Sequence, residues 1–361
     1  MTDWRDLPKG ELTIEQLPPA NLDDSYGPLE GAVLSGCSIT EGYYTDSRAS
    51  AKLELAHHNL VDRAAIRISY RVPELGYSEE LGTFFPASDG AKESDGSVTA
   101  TLDLVSALHA MSLKENRSPH WLAQGSYALT AMRQVCEDAH RELLTAGAND
   151  YMYTEAKVLE SGGSSLERLF ALCDDSGNRL DVDGHGRIVA SAYVAPSARV
   201  PSFEIDLLDP KGTAHDGIEM SSDRLSLPSE VHVIYRWTEG SGDSAQQMEV
   251  SGTASNPAES FGVRGYIVSD AEVVNELDPP EEWMAQQEAE KRLALRTEPT
   301  DEWSLTTEYL PIHQGHVGWL RGLPDGMGGP DRLVMVKSAD ISLDTMRMRL
   351  TLKGAESVDT E

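Results

Sequence analysis

Two aspartates, a histidine and two glycines crowd into LDVDGHGRIVAS, residues 180–191, a mixture that could hold a metal ion or move a proton. Numbered as a calcium loop, Asp181, Asp183 and His185 take the first, third and fifth positions, and Gly186 falls correctly at the sixth. The twelfth position must be a bidentate carboxylate, and here it is Ala192. Imidazole is also a poor ligand for a hard cation. The flanks suggest another role, because Leu180 and Val182, then Ile188 and Ala190, alternate as two paired strands would. Asp-Gly between them is a strong hairpin-turn signal. The stretch is expected to be the bend of a β-hairpin.

The other chemically interesting residues are sparser. His57 and His58 sit at a strand end, and His313 and His316 are separated by two residues in a loop-like segment, without an HExxH or CxxC companion. Zinc needs three or four converging ligands, so surface or structural histidines are expected. No G-x-S-x-G is present, and GSY at Gly125 and SGGSS at Ser161 lack the strand–elbow–helix context of a nucleophile. The glycine-rich LPDGMGGPD, residues 323–331, lacks the lysine of a phosphate loop and reads as a mobile loop. Cys37, Cys136 and Cys173 are widely spaced, the last two on apolar helix faces, and read as small hydrophobes of a protein assembled in a reducing cytosol. No catalytic residue, cofactor site or metal site is expected.

Sixty acidic residues against thirty basic ones give the 361-residue chain a formal charge of −30. Nucleic-acid binders gain affinity by replacing counterions with lysine and arginine, and no basic run is available here to do so. The charge keeps the chain soluble through self-repulsion, or lets a surface sit near DNA without holding it. Apolar runs fall far short of the roughly 20 residues of a membrane span, and the polar, acidic start is unlike a secretory signal.

The elements that must carry these residues are mostly strands. After an irregular arm (1–30) come GAVLSGCSIT, SRASAKLELAHH, RAAIRISYRV, ELGTFFPA ending at Pro86, and, after the loop SDGAKESDG, SVTATLDL running into a short helix. Their period-two alternation is that of half-buried antiparallel strands. The middle reads as two helices with a strand between. SYALTAMRQVCEDAHRELLTAG carries Leu129, Met132, Val135, Ala139 and Leu143 at helical spacing, with Ser126 as N-cap. SSLERLFALCDDSG has a capping box from Ser164 and Glu167 and stops at Gly177. The last third returns to strands around one helix, 281–297, with Glu281 and Glu282 at its start and Lys291, Arg292 and Arg296 toward its end.

The order of these pieces resembles the baseplate hub, or tail-associated, proteins of tailed bacteriophages. The segments that carry the resemblance are SGCSITEGYYTDSRASAKLEL, GTFFPA, SVTATLDLVSAL, SYALTAMRQVCEDA, SSLERLFALCDDSGNRLDVDGHGRIVASAYVAP, EAEKRLALR and RLVMVKSADISLDTMRMRLTLKG. The resemblance implies an α+β, predominantly β fold with two tail-tube-like β-barrel domains, 31–103 and 201–354, around an α+β region, 104–200, and a flexible tail, 355–361. It further implies a non-enzymatic homotrimer joining the tail tube or distal tail protein to the tip or fibre protein. Tape-measure protein and genomic DNA would pass through its centre, the DNA without specific binding, and this chain would not insert in a membrane. Many relatives continue into a fibre, spike or hydrolase extension and this chain stops soon after its last strand, so receptor binding or wall cleavage is not expected of it. The residues expected at a subunit or tube interface are Ser47, Arg48, Lys52, Glu54, Arg347 and Arg349. In 47–55 one strand face would line the bore while Ala51, Leu53 and Leu55 pack inward, and the methionines of 341–352 would be core. A virion-associated hydrolase of peptidoglycan or surface glycan is the alternative, and a cytosolic β-rich binding protein is a third.

Overall fold

The computed structural model describes residues 10–94, 97–145, 147–159, 161–209, 212–222, 227–239, 246–275, 282–296, 301–327, 329 and 331–355. The first part holds β1 (Glu11–Leu17), β2 (Gly27–Pro28), β3 (Ser38–Gly42), β4 (Ala49–Ala56), β5 (Ala65–Val72), β6 (Tyr77–Ser94), β7 (Ser97–Val105) and α1 (Ala107–Ser112). The middle holds β8 (His120–Leu122), α2 (Ala128–Asp138), β9 (Leu143–Thr145), β10 (Lys157–Leu159), α3 (Ser165–Ser176), β11 (Asn178–Val182) and β12 (Ile188–Ala192). The last part holds β13 (Phe203–Asp206), β14 (Ala214–Ser222), β15 (Glu230–Glu239), β16 (Gln246–Ser255), α4 (Phe261–Arg264), β17 (Ser269–Asn275), α5 (Glu282–Arg296), β18 (Asp301–Glu308), β19 (Val317–Arg321), β20 (Asp331–Ser342) and β21 (Arg347–Gly354).

Alternation builds the main sheet. In β4, Ala51, Leu53 and Leu55 are buried; in β21, Met348, Leu350 and Leu352 are buried between the exposed Arg347 and Arg349. Met346 falls in the preceding turn instead, with φ 48°. Each fully buried Leu, Ile or Phe contributes roughly 1.5–3 kcal/mol relative to exposure, and this inner face carries Ile39, Leu53, Ile68, Phe84, Leu104 and Ile341 in one cluster. Thirteen strands join in the order β14-β18-β21-β20-β3-β4-β7-β6-β5-β1-β2, with β19 attached to β20 and β13 to β19. The strands before residue 103 and those after residue 200 are therefore joined edge to edge, through Ser38 opposite Ser342 and Gly42 opposite Ser338. The pairings among the described residues leave this order open at β14 and β2, without closing it into rings.

A second core belongs to the middle of the chain. Leu166, Leu169, Leu172 and Cys173 of α3 pack with Met132, Val135 and Cys136 of α2 and with Leu180, Ile188 and Ala190 of the β11–β12 hairpin. The capping box expected at the start of α3 is present: the Glu167 N–H donates to the Ser164 hydroxyl and the Ser164 N–H to the Glu167 carboxylate. Ser164→Ala removes one of these acceptors and is expected to cost about 1 kcal/mol, read as a lower denaturation midpoint that Ser164→Asp largely restores. An unchanged midpoint in Ser164→Ala would count against the cap.

Four expectations need correcting. The 1–30 arm is not irregular throughout, since β1 pairs with β5 over seven positions and buries Ile14 and Leu17; residues 1–9 lie outside the described residues. Pro86 does not end a strand: β6 continues to Ser94 past a register shift between Pro86 and Ser88, and the tract read as a loop is mostly hairpin. A bulge tolerates proline because its missing N–H is not needed in the ladder there. Helix α2 stops at Asp138 rather than near Gly147, and Tyr127, not Ser126, is its N-cap. Leu143 is buried as the helical spacing suggested, but in β9, paired in parallel with Ile188. Finally, 201–354 is not one β unit: β15, β16 and β17 form their own three-stranded sheet, inserted between the neighbouring strands β14 and β18. Its core is Val231, Val233, Tyr235 and Ala254 under Ala285 and Ala289 of α5. Gly252 permits that approach, because a Cβ there would lie 2.3 Å from the Ala285 backbone. The expected flanks of this helix, Glu281 and residue 297, and the side chains of Lys291 and Arg296 lie outside the described residues, as do 356–361.

Candidate functional site

The 180–191 stretch folds as a hairpin, Leu180 opposite Ala190 and Val182 opposite Ile188. Asp183 holds its bend: its backbone carbonyl accepts from the Gly186 N–H at 2.9 Å, and its carboxylate from the Arg187 N–H at 2.9 Å and Nε at 2.8 Å. The rest of the bend is seated on the main sheet. The Thr83 hydroxyl donates to the Gly184 carbonyl at 2.8 Å, and His185 Nε2 lies 2.8 Å from the Glu80 carboxylate. A Cβ on Gly184 would stand 2.3 Å from the Glu80 carbonyl oxygen. The sequence signal was thus a turn in conformation and a docking pin in use.

The pin borders a cleft of about 760 Å³, lined by residues from β3, the β3–β4 turn, β6, β11 and the 313–316 loop. On one wall Asp181 accepts from Gln314 Nε2 at 2.8 Å and pairs with Arg179 at 3.3 Å. Burial holds the Asp181 carboxyl above the usual carboxylate range, against the pull of Arg179. The Arg179 guanidinium in turn lies 3.5 Å from the centre of the Tyr43 ring. Arg199 donates to the Tyr43 hydroxyl at 2.8 Å and to the Gly315 carbonyl at 2.6 Å.

On the other wall His313 bridges two carboxylates, with Nδ1 2.9 Å from Glu41 and Nε2 2.6 Å from Glu79. Glu41 also accepts the Gln314 N–H at 3.2 Å, and Glu79 accepts the hydroxyls of Tyr77 and Tyr309. Burial opposes charge on His313, but the hydrogen bonds and charges of Glu41 and Glu79 prevail and push it up to about 10. Burial likewise opposes ionisation of Glu79, yet donation by His313, Tyr309 and Tyr77 brings it down to about 2. Burial and the Glu79 contact push both tyrosines up. His313 is therefore held as a cation against Glu79, a poor arrangement for a group that must give and take a proton near neutrality. His316 packs edge-on against it, ring centres 5.6 Å apart, and is kept below its usual value by burial and by the His313 charge.

The three cysteines are buried and free, and burial pushes Cys136 and Cys173 up to about 12. Among the described residues no group of three or more His, Cys, Asp or Glu is placed to hold a metal ion. Among the described residues no helix is long and apolar enough to cross a membrane. The cleft is a polar joint between the middle region and the main sheet. Gly184→Ala should loosen it by about 1–3 kcal/mol through overpacking, with faster proteolysis between the two cores. Wild-type proteolysis and stability would speak against a docked bend.

Of the six residues expected at an interface, two belong to this joint. The Ser47 carbonyl accepts from the Ser106 hydroxyl. Arg48, with φ 59°, donates to the carbonyls of Leu180, at 3.1 Å, and Tyr43. The other four lie elsewhere. Lys52 stands opposite Ser38, Ser38 opposite Ser342 and Ser342 opposite Arg347, so these side chains share one outward row. Arg349, opposite Asp340 and beyond it Thr40, continues that face, and Glu54 lies two positions along from Lys52. Carboxylates accompany the cations: Lys52 with Glu54 at 3.7 Å, Arg347 with Glu308 at 3.9 Å and Arg349 with Glu219 at 3.5 Å. Glu41, Glu79, Tyr43, Tyr309, Gln314 and Arg199 were not legible in advance. On that wall the pair His313 and His316 was the visible signal, and the Glu79 partner of His313 lies 234 residues away.

No family model and no curated protein sequence matches the chain. Solved structures do. A tail protein from Neisseria meningitidis MC58 superposes with a TM-score of 0.66 at 12% identity, over 96% of this chain and 97% of that one. The 43 kDa tail protein of prophage MuSo2 from Shewanella oneidensis gives 0.65 at 10% identity, over 96% and 99%. The prophage tail protein gp18 from Listeria monocytogenes EGD-e gives 0.56 at 11% identity, over 96% and 95%. Along nearly its whole length, this chain has the fold of bacteriophage tail proteins.

Proposed function

We propose that the chain is a structural, non-enzymatic component of a phage-type tail, acting as a homotrimeric hub that joins the tail tube or distal tail protein to the tip. The observation that carries this reading is the end-to-end likeness to tail proteins, with neither chain leaving a large part uncovered. Each subunit would supply two tube-like modules, the two halves of the main sheet, divided where β3 meets β20. Three chains with two modules each make a pseudo-sixfold ring, which suits a sixfold tube on one side and a threefold tip on the other.

The outward face with Lys52, Glu54, Arg347 and Arg349 is our choice for the bore, which tape-measure protein and DNA would cross. Its charge is mixed, with Asp103 opposite Lys52 and Asp340 opposite Arg349, so the acidity of the chain is not concentrated there. Because each of these cations has a carboxylate beside it, passing phosphates meet few uncompensated positive charges and are not retained. Mass measurement in solution and negative-stain images test the reading. Threefold particles with a central hole are expected, and a monomer at high concentration, without rings, would refute it.

A further inference from the structure

The two halves of the main sheet repeat one pattern. In the first, β3, β4, β5, β6 and β7 follow in chain order; β3 pairs with β4, β4 with β7, β7 with β6 and β6 with β5, all antiparallel. In the second, β14, β18, β19, β20 and β21 pair in the same way, β14 with β18, β18 with β21, β21 with β20 and β20 with β19. Both long strands shift register at the same place, β6 between Pro86 and Ser88 and β20 between Val336 and Ser338. Aligning the shifts matches Leu53 with Leu305, Leu102 with Leu350 and Leu104 with Leu352, all buried. It also matches Ile39 of β3 with Met220 of β14, and Ile341 of β20 with Ala91 of β6. The copies differ at their edges. Inside the chain β20 pairs with β3, and Ile39 and Ile341, opposite each other there, are 0% and 1% exposed. The matching edges have no such neighbour: among the described residues, 88–94 of β6 pair with β7 alone and β14 with β18 alone. Accordingly Ala91 is exposed and Met220 only half-buried.

We propose that β6 of one subunit pairs antiparallel with β14 of the next, repeating between chains the β20–β3 junction found within each chain. The inference rests on the homotrimeric reading and adds which strands join the subunits. An open strand edge is a row of unpaired N–H and carbonyl groups, ready to pair with another chain. In the β20–β3 junction the Tyr43 N–H donates to the Lys337 carbonyl at 2.8 Å and the Leu343 N–H to the Cys37 carbonyl at 3.1 Å. Every second residue of β20 between them therefore turns its backbone toward β3. The matching residues of β6 are Ala87, Asp89, Ala91 and Glu93, whose N–H and carbonyl groups face the open edge. Carried over, the register sets Asp89 opposite Ser222, Gly90 opposite Ser221, Ala91 opposite Met220 and Lys92 opposite Glu219. No position places like charges opposite each other, which matters in a chain of net charge −30. The two edges are unlike, so the contact is head to tail, and such contacts close into rings when the rotation allows. Junctions within and between chains would then alternate around one ring.

The test uses the full chain. Gly90 and Ser221 would face each other between hydrogen-bonded pairs, where Cα atoms lie about 4.5 Å apart, within reach of a disulfide. A Cβ on Gly90 meets nothing within 4 Å, Ser221 is exposed, and the native cysteines are buried. The double variant Gly90→Cys with Ser221→Cys, treated with oxidised glutathione, is expected to give covalent trimers on a nonreducing gel. Each single variant should remain uncross-linked. Ala91→Pro removes an N–H that faces the open edge, a place where strands tolerate proline. It should weaken association by about tenfold, the effect of losing one hydrogen bond across the junction, with the thermal midpoint reporting that folding is intact. A wild-type trimer whose double variant gives no cross-link overturns the strand pairing and spares the hub reading. A folded Ala91→Pro chain that stays fully trimeric does the same. Cross-linked dimers from either single variant would mean that like edges meet, and also overturn the proposal. A wild-type monomer fails both readings.

Discussion

His313→Ala is expected to destabilise the chain by about 3–5 kcal/mol, the cost of leaving buried charges without their partner. Glu41 is 8% exposed at its side chain and Glu79 20%, so water cannot take over the hydrogen bonds of His313. The change should appear in a denaturant titration as a lower midpoint. His313→Gln, which keeps one donor, should recover part of the loss. If alanine costs under about 1 kcal/mol, the network contributes no more than a surface ion pair and this account of the joint is wrong.

The same network sets a pH dependence. His313 is raised from 6.5 to about 10, so its contribution is complete below about pH 6.5 and declines as pH rises toward 10. Glu79 is lowered from 4.5 to about 2, so its contribution is present above about 4.5 and is lost as pH falls toward 2. Both are whole between about 4.5 and 6.5. The stability gap between wild type and His313→Ala should therefore be widest in that window and shrink on either side. A gap that stays flat from pH 5 to pH 10 would mean that His313 is not held as a cation.

Trp303→Ala is expected to cost a similar 3–5 kcal/mol by leaving a large cavity. Trp303 is 1% exposed in β18, between Met220 of β14 and Leu352 of β21, and its indole N–H donates to the Met327 carbonyl at 3.1 Å. It therefore stands where the inserted three-stranded unit rejoins the main sheet. The same hydrogen bond fastens the glycine-rich segment expected to be mobile, in which Leu323 is also buried. Trp303→Phe should lose only the hydrogen bond and some volume, so its midpoint should lie much nearer to wild type. Alanine and phenylalanine variants of equal stability would show that the ring does not fill the space described.

Several local signals in the sequence held, although the N-cap read at Ser126 and the strand end read at Pro86 did not. The Ser164–Glu167 capping box, the αL stop at Gly177, the 180–191 hairpin and the inward Leu53 and Leu55 depend on neighbours within a few residues. The spacing that put Leu143 in a helix was right about burial and wrong about form. A buried leucine satisfies either period, and only the parallel partner Ile188 decided between them.

What the sequence determined by itself was a β-rich chain of strongly acidic character whose order of elements resembles phage hub proteins. The tertiary structure alone decided that the two β-rich blocks share one sheet, that β15, β16, β17 and α5 form an insertion within it, and that the bend at Gly184 is a docking pin. It also placed Arg48, Glu41, Glu79, Asp181 and His313 around one cleft. The physical reason is range: caps and alternating faces are written in adjacent residues, whereas Glu79 and His313 meet across 234 positions. Nothing in either segment marks the other until burial and the strand pairing bring both to the same wall.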